Sequence, residues 1–332
     1  MNTFTLISHS DELSLFSRTE TVPLISADEL TRHTPDSHWL LTDGGSDVLA
    51  RCSLWWQSVP EFPEQRLGFI GHYAARDLKS SAKLLNHACA RLKEQECTMA
   101  VGPLDGTTWR RYRFVVERGP ELPFFLEPDN PADWPEHFID AGFNEFASYS
   151  SSLNTNLEYV DPRMDSVTER MERTGIKIRH LDPARFDQEL DAIFELSLTG
   201  FQHNFLYAPI SREEFKATYR RVQTYIKPEL TLLAEHEGKA AGFLFAIPDM
   251  LQVQRGGSID TVIMKSIAVL PGKTYGGLGN LLMVRTIGNI HKLGYKRAIH
   301  ALTYDGNSSA RNMSAHYAQP IRRYALFSRE LI

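Results

Sequence analysis

Apolar residues in the second half of the chain recur in two rhythms. Ile176-Lys-Ile-Arg-His alternates as a strand does, and after Asp182-Pro183 the positions Phe186, Leu190, Ile193, Phe194 and Leu196 fall at helical spacing. Ser211, three residues before Glu214, has the form of a capping box opening a second helix towards Val222 and Tyr225. Two apolar runs, Leu230 to Glu235 and Ala240 to Ile247, flank Glu237-Gly238, a dipeptide suited to a hairpin turn. Thr261 to Val269 reads as a strand. A glycine-rich turn follows, then an apolar helix marked by Leu282, Met283, Ile287, Ile290 and Leu293 and ended by Gly294. Arg297 to Thr303 is a further strand. The order strand, helix, helix, three strands, helix, strand, helix predicts an α/β domain with a mixed sheet.

The first half repeats part of this order. Trp39–Thr42, Val48–Trp56 and Leu67–Tyr73 pattern as strands, and Ala82 to Leu92 as a helix through Leu84, Leu85, Ala88, Cys89 and Leu92. Thr98–Gly102 is another strand. The matched order with little residue identity predicts a divergent duplication. Between the halves, Asn154 to Gly175 is polar and charged, and a short solvated helix is expected over Ser166–Arg173. The expected units are residues 1–155 and 175–332, joined by a linker at 156–174.

Composition narrows the partners. A chain of 332 residues has room for two domains at roughly 150 residues each. Its net charge of −5 has the wrong sign for neutralising phosphates along a duplex, so no nucleic-acid partner is expected. The three cysteines, Cys52, Cys89 and Cys97, form no C-x-x-C pair, and the 12 histidines include no H-E-x-x-H, so no metal is expected. The N-terminus lacks a basic stretch, and no apolar run approaches the ~18 residues of a membrane span. A cytoplasmic protein with no membrane partner is expected.

The stretch richest in chemistry is Val269-Leu-Pro-Gly-Lys-Thr-Tyr-Gly-Gly-Leu-Gly-Asn-Leu-Leu, between a strand and a helix. A glycine-rich turn into a helix aims backbone N–H groups and the helix dipole at one point, which suits a phosphate or pyrophosphate. Gly272-Lys273-Thr274 resembles the end of a Walker A loop, but that pattern's first glycine falls on Ile267. Gly277-Leu-Gly279 resembles a dinucleotide fingerprint, but its third glycine position holds Leu282.

Val269, Pro271, Gly277 and Gly279 match the V-x-P-x-x-R/Q-x-x-G-x-G/A signature of the GNAT superfamily of acyl-CoA-dependent N-acyltransferases, with Thr274 where Arg or Gln is usual. Asn307 and Ala310 match the family's N-x-x-A/S after the next strand. The chain therefore resembles a tandem GNAT-like protein whose first domain is degenerate, since after Gly71-His-Tyr no glycine loop follows. The resemblance covers about residues 176–332 in order of elements, and its specific motifs lie within Ile267–Met313.

That likeness implies acetyl-CoA or another acyl-CoA as cosubstrate. The backbone of Ile267, Ala268 and Val269 would pair with the pantetheine arm. Backbone N–H groups of Thr274, Tyr275, Gly276, Gly277, Leu278, Gly279 and Asn280 would hold the pyrophosphate, with Lys273 near a phosphate. Family members often use a Tyr seven residues after the Asn as acid; that position is Ser314, and Tyr317 lies a helical turn beyond. Tyr304 and Tyr324 are weaker candidates. Asp260 precedes the strand, and His300 and His203 are candidate bases, beside direct attack with no dedicated base. The implied activity is transfer of an acyl group, most simply acetyl, to a small-molecule or peptide amine. Loops 102–113 and 123–131 of the first domain, with Arg110, Arg111 and Arg113, would complete an acceptor site. A Fem-type aminoacyl-tRNA-dependent transferase and a CoA-binding sensor without turnover stand as alternatives.

Overall fold

The computed structural model describes residues 2–17, 22–159, 161–307 and 314–331. The first half contains β1 (Thr3–Ile7), α1 (Ala27–His33), β2 (Ser37–Thr42), β3 (Val48–Trp55), β4 (Leu67–Ala75), α2 (Leu78–Glu94), β5 (Met99–Gly102), β6 (Phe114–Glu117), α3 (Trp134–Asp140) and β7 (Asn144–Asn154). After α4 (Arg163–Arg173), the second half contains β8 (Lys177–His180), α5 (Phe186–Gly200), α6 (Arg212–Arg220), β9 (Thr231–His236) and β10 (Lys239–Pro248). It continues with α7 (Met250–Gln254), β11 (Thr261–Val269), α8 (Leu278–Lys292), β12 (Arg297–Tyr304) and β13 (Gln319–Glu330). The mixed α/β class and the repeated order of elements agree with the sequence.

The strands form one sheet in the order β1-β2-β3-β4-β5-β13-β7-β12-β11-β10-β9-β8, with β6 beside β13. Each half holds one parallel pair, β4 with β5 and β11 with β12, among antiparallel neighbours. Near the centre the halves interlock. β13, from the end of the chain, pairs with β5 through Phe327↔Gly102 and with β7 through Tyr324↔Tyr149. β7 in turn pairs with β12 through Ile299↔Leu153. Residues 319–330, which the sequence groups with the second unit, thus complete the sheet of the first.

Local chemistry sets the elements. Glu237 and Gly238 both take positive φ, as a two-residue hairpin turn requires, and join β9 to β10. Ser211 accepts the Glu214 N–H at 3.2 Å and starts α6, which ends at Arg220 and leaves a separate 3-10 turn at 223–225. The reciprocal half of the capping box is missing because the Glu214 carboxylate is spent on Arg110. On β10, Phe243, Phe245 and Ile247 face α5 while Leu244 and Ala246 face α8, the two-residue period of a sheet covered on both sides. The helix in the linker is not simply solvated. Met164 and Met171 are buried on one side of α4 and pack, with Val167, in the core beneath α8.

The first-half core holds a chain of buried imidazoles. His33 Nδ1 lies 2.7 Å from His72 Nε2, His72 Nδ1 2.8 Å from Ser53 Oγ, and Ser53 Oγ 2.7 Å from His38 Nδ1. Burial, aided by nearby guanidiniums, lowers these histidines to about 4 for His33, about 2 for His72 and about 3 for His38. Their neutral forms are the folded ones, so stability is complete above their ordinary pKa of ~6.5 and is lost as pH falls towards the folded values. Thermal melting from pH 7 to pH 4 should show a falling midpoint. His38→Gln should remove about 1.4 kcal/mol per pH unit of that slope, as one fewer proton is taken up on unfolding.

Candidate functional site

β11 and β12 begin as a parallel pair, Thr261↔Arg297 to Met264↔His300, and then part. Beyond Met264, β11 keeps its ladder with β10 only, through Ile267↔Leu244, Ala268↔Phe243 and Val269↔Gly242. A register shift opposite Phe245/Ala246 makes Lys265 the extra residue of a bulge, a device that re-aims a side chain. The backbone edge of Ile267, Ala268 and Val269 on the β12 side is therefore outside the ladder.

The glycine-rich turn closes this opening at one end. Lys273–Tyr275 form a 3-10 turn whose Tyr275 and Gly276 N–H groups donate to the Gly272 and Lys273 carbonyls at 3.2 Å, so, against expectation, these two are not left for a phosphate. Gly277, at φ +83, is the N-cap of α8 and supplies no side-chain cap. The first four N–H groups of an α-helix lack partners within it, so those at this end are free for an anion. A side chain at Gly277 would be strained at that φ and would meet Arg170 and Val167 of α4. Lys273 and Thr274 are exposed, and the Tyr275 hydroxyl lies 3.0 Å from His236 Nδ1. Leu278 points into the core, so it offers only its amide, and the buried Asn280 Oδ1 has no partner. Arg170 donates to the Gly276 carbonyl, bringing a cation to the turn from α4. The free amides of the helix start and the nearby cation suit an anionic group such as a phosphate. Asn307 is exposed in a turn closed by its N–H to the Tyr304 carbonyl, and Ala310 lies outside the described residues.

Between the parted strands is a cavity of about 70 Å³ lined by Met264, Lys265, Met283, His300, Thr303 and Ser314, among others. His300 Nε2 and Ser314 Oγ are both buried there without a hydrogen-bond partner. Burial lowers His300 to about 4, so it is a neutral imidazole at pH 7. Tyr317 is turned elsewhere: its hydroxyl donates to Asp161 Oδ2 at 2.7 Å, and burial with that hydrogen bond pushes it up to about 12. A phenol so tied is a poor proton donor, and Tyr317 does not line the cavity. Tyr324 is buried with its hydroxyl donated to Glu127, His203 is exposed, and Asp260 accepts from Gln252 and Thr261 at the other end of β11.

A residue that the sequence does not single out is Lys265. Its Nζ donates to the Leu126 carbonyl at 3.2 Å, and burial together with the charge of Arg113 holds it down at about 7. A lysine inside a strand pattern reads as solvated; only the bulge and the overlying loop give it this setting. That loop is the first half's 123–131 segment. Phe124 is buried in the core of the second half, and Phe125 N–H donates to Asp249 at 2.8 Å. Glu127 accepts from buried Arg322 at 2.8 Å and from Tyr324 at 2.5 Å. Arg110 reaches Glu214 of α6 with two bonds, 2.7 and 3.0 Å. Loops of the first half thus form part of the surroundings of the second half's opening.

The corresponding place in the first half is shut. Beyond Phe69↔Val101 the strands β4 and β5 also part, but the Leu104 N–H takes the Ile70 carbonyl at 2.9 Å. Gly71 admits that approach, since a Cβ there would strike the Leu104 carbonyl. The start of α2 is occupied by Asp77, whose carboxylate caps Ser80 N–H at 2.7 Å and repels an anion.

No protein-family model matches the sequence. Among curated proteins, the chain is 24% identical over 223 residues to a bacterial ceramide synthase of Caulobacter vibrioides, covering 66% of this chain and 57% of that protein. It is 21% identical over 186 residues to protein YghO of Escherichia coli K12, covering 54% and 47%. The chain matches about half the length of these relatives. Among solved structures, a probable N-acyltransferase from Enterococcus faecalis V583 aligns over 100% of this chain and 73% of its own, with TM-score 0.58 and 11% identity. A tandem GNAT protein from the clavulanic acid biosynthesis pathway aligns over 100% and 99%, with TM-score 0.51 and 14% identity. The glucosamine N-acetyltransferase region of a fungal β-N-acetylglucosaminidase aligns over 99% of this chain and 38% of that one, with TM-score 0.53 and 12% identity. At these identities the likeness is one of fold. Among the described residues no helix is long and apolar enough to cross a membrane.

The Glu127–Arg322 pair is nearly solvent-free, with side chains 3% and 1% exposed. Glu127→Ala should cost roughly 3–5 kcal/mol in urea unfolding by stranding a buried guanidinium, and Arg322→Met in the same chain should restore much of it.

Proposed function

We propose that this chain, which folds as two GNAT units in tandem, is an acyl-CoA-dependent N-acyltransferase whose working opening lies between β11 and β12. The observation that carries the reading is convergence at one place: an unladdered strand edge, an uncapped glycine-rich helix start, and a cavity holding Lys265, His300 and Ser314. In this reading the β11 edge and the α8 amides hold the donor, and Arg170 and Lys273 add charge near its phosphates.

Lys265 is the proton carrier. With its pKa near 7 a large fraction is neutral at physiological pH. Its Nζ takes a proton from the attacking amine and returns it to the departing sulfur, so the products are an amide and a free thiol. Ser314, with an unspent hydroxyl, hydrogen-bonds the reacting group; His300, neutral, is a second polar contact. This assignment replaces Tyr317 as the candidate acid, because Tyr317's proton is committed to Asp161.

A cavity of about 70 Å³ suits a short acyl group, acetyl first, on a small-molecule or peptide amine. A second reading is favoured by the ceramide synthase similarity: a longer acyl chain placed on a lipid amine. Met264 and Met283 line the cavity, and flexible thioether side chains can repack to admit one.

Calorimetric titration with acetyl-CoA, longer acyl-CoAs and ATP tests the donor. One acyl-CoA should bind in the micromolar range, and the Gly277→Asp/Gly279→Asp variant should weaken it at least about 100-fold, near 2.7 kcal/mol. No acyl-CoA binding to the folded wild type would overturn the proposal. The chain-length preference then separates the acetyl reading from the long-chain one. With an accepted amine, kcat/KM should rise through about pH 7, and Lys265→Gln should lose roughly 10²–10⁴-fold and flatten that limb.

A further inference from the structure

A second cavity, of about 780 Å³, lies between the halves, where α1, β3, β4 and the loop after β5 of the first meet α6 of the second, and it shares no lining residue with the β11/β12 opening. Its volume is that of a site for a small organic molecule. Its wall is unusually cationic for a chain of net charge −5. Six guanidiniums, Arg32, Arg51, Arg110, Arg111, Arg113 and Arg221, line it against the carboxylates of Glu29, Asp105, Glu213 and Glu214.

Two of the six guanidiniums are ion-paired, Arg110 with Glu214 and Arg32 with Asp28. Asp105, which accepts the His72 N–H at 2.5 Å, is raised to about 6 by burial and is a single carboxylate shared between Arg51 and Arg111. Arg51 is held by the carbonyls of Pro23 and His72, and Arg111 by that of Asp129; their hydrogen-bond partners are not carboxylates. Arg113 is the strongest sign. It is 6% exposed, its Nε and Nη1 have no partner, and it is stacked 4.0 Å from Tyr112 and 4.3 Å from Tyr149. A buried guanidinium with unspent donors is costly unless a negative group meets it.

We infer that this cavity is a binding site for a small anionic molecule presenting a carboxylate or phosphate group to Arg113, Arg111 and Arg51. The planar fork of a guanidinium matches both groups in a bidentate fashion. The apolar surfaces of Trp109, Phe114 and Trp134 on the same wall suit the remainder of such a molecule. A divalent cation is the rival occupant, since ligand atoms of Glu29, His33 and His72 lie within 4.8 Å of one another. It is disfavoured because the guanidiniums nearby repel it and because it would have to break the 2.7 Å contact between the two imidazoles.

The test uses the full chain at fixed ionic strength, with citrate as carboxylate probe, pyrophosphate as phosphate probe and sodium chloride as control. At least one probe should raise the melting temperature above the chloride control and bind in calorimetry, and which one does so identifies the recognised group. Arg111→Glu, an exposed position, should weaken that binding at least tenfold, as should Arg113→Gln; should the latter not fold, Arg221→Glu takes its place. Pyrophosphate also suits the α8 turn, so only the part of its binding lost in Arg111→Glu counts for this cavity. Neither probe exceeding chloride, or binding insensitive to these variants, would overturn the inference. So would one equivalent of Zn²⁺ bound by the wild type and lost in His33→Gln. Acetyl-CoA titration of Arg221→Glu, at an exposed position of the cavity with no part in acyl transfer, should match the wild type, so this inference and the acyl-transfer reading stand or fall separately.

Discussion

The ladder from β5 through β13 and β7 to β12 is the constraint on which the arrangement depends. Each half lends a strand to the middle of one sheet, so the two units are joined by backbone hydrogen bonds as well as by a linker. That coupling sets the first half's loops beside the second half's opening. Phe124 enters the second half's core, Glu127 meets Arg322 and Tyr324, and Leu126 caps Lys265. Without the shared strands these contacts would have to hold two separate bodies by side chains alone, at a larger cost in lost freedom.

The same architecture is used in two ways. Both halves part a parallel strand pair after a few residues, since diverging strands leave backbone groups to be satisfied elsewhere. In the first half the chain itself fills the gap, the Leu104 N–H bonding the Ile70 carbonyl, and Asp77 caps the helix start at Ser80. In the second half the glycines at 272, 276, 277 and 279 keep side chains off the gap. The larger space lies elsewhere, between α1 and β4 of the first half and α6 of the second, where the wall is arginine rather than glycine.

Most elements of the second half were legible because each depends on local pattern: the positive-φ pair at Glu237-Gly238, the Ser211 cap, the glycine turn before α8. β7 and β13 were not. Ser148, Ser150, Ser151 and Ser152 in one, and Arg322 and Arg323 in the other, break the apolar runs that announce a central strand, and only long-range pairing makes them strands. α4 shows its buried side only once α8 is in place, because Met164, Val167 and Met171 are scattered among charges. At the site, the glycine turn was readable from spacing, whereas the settings of Lys265 and Tyr317 were not. Lys265 owes its depressed pKa to burial and to Arg113, and Tyr317 its tether to Asp161, more than 150 residues away.

The interlocked strands also bear on how the chain is made. A ribosome delivers residues in order, and β5 and β7 have left it long before β13 does. Until residue 330 has emerged, the gap between those two strands stays open, with their inner backbone edges and the Phe114–Phe138 cluster incompletely covered by Phe327. The first half therefore cannot finish folding as a unit during synthesis. Exposed strand edges are templates for misassociation, so the nascent chain carries that hazard through translation of the whole second half, a debt that the final strand discharges.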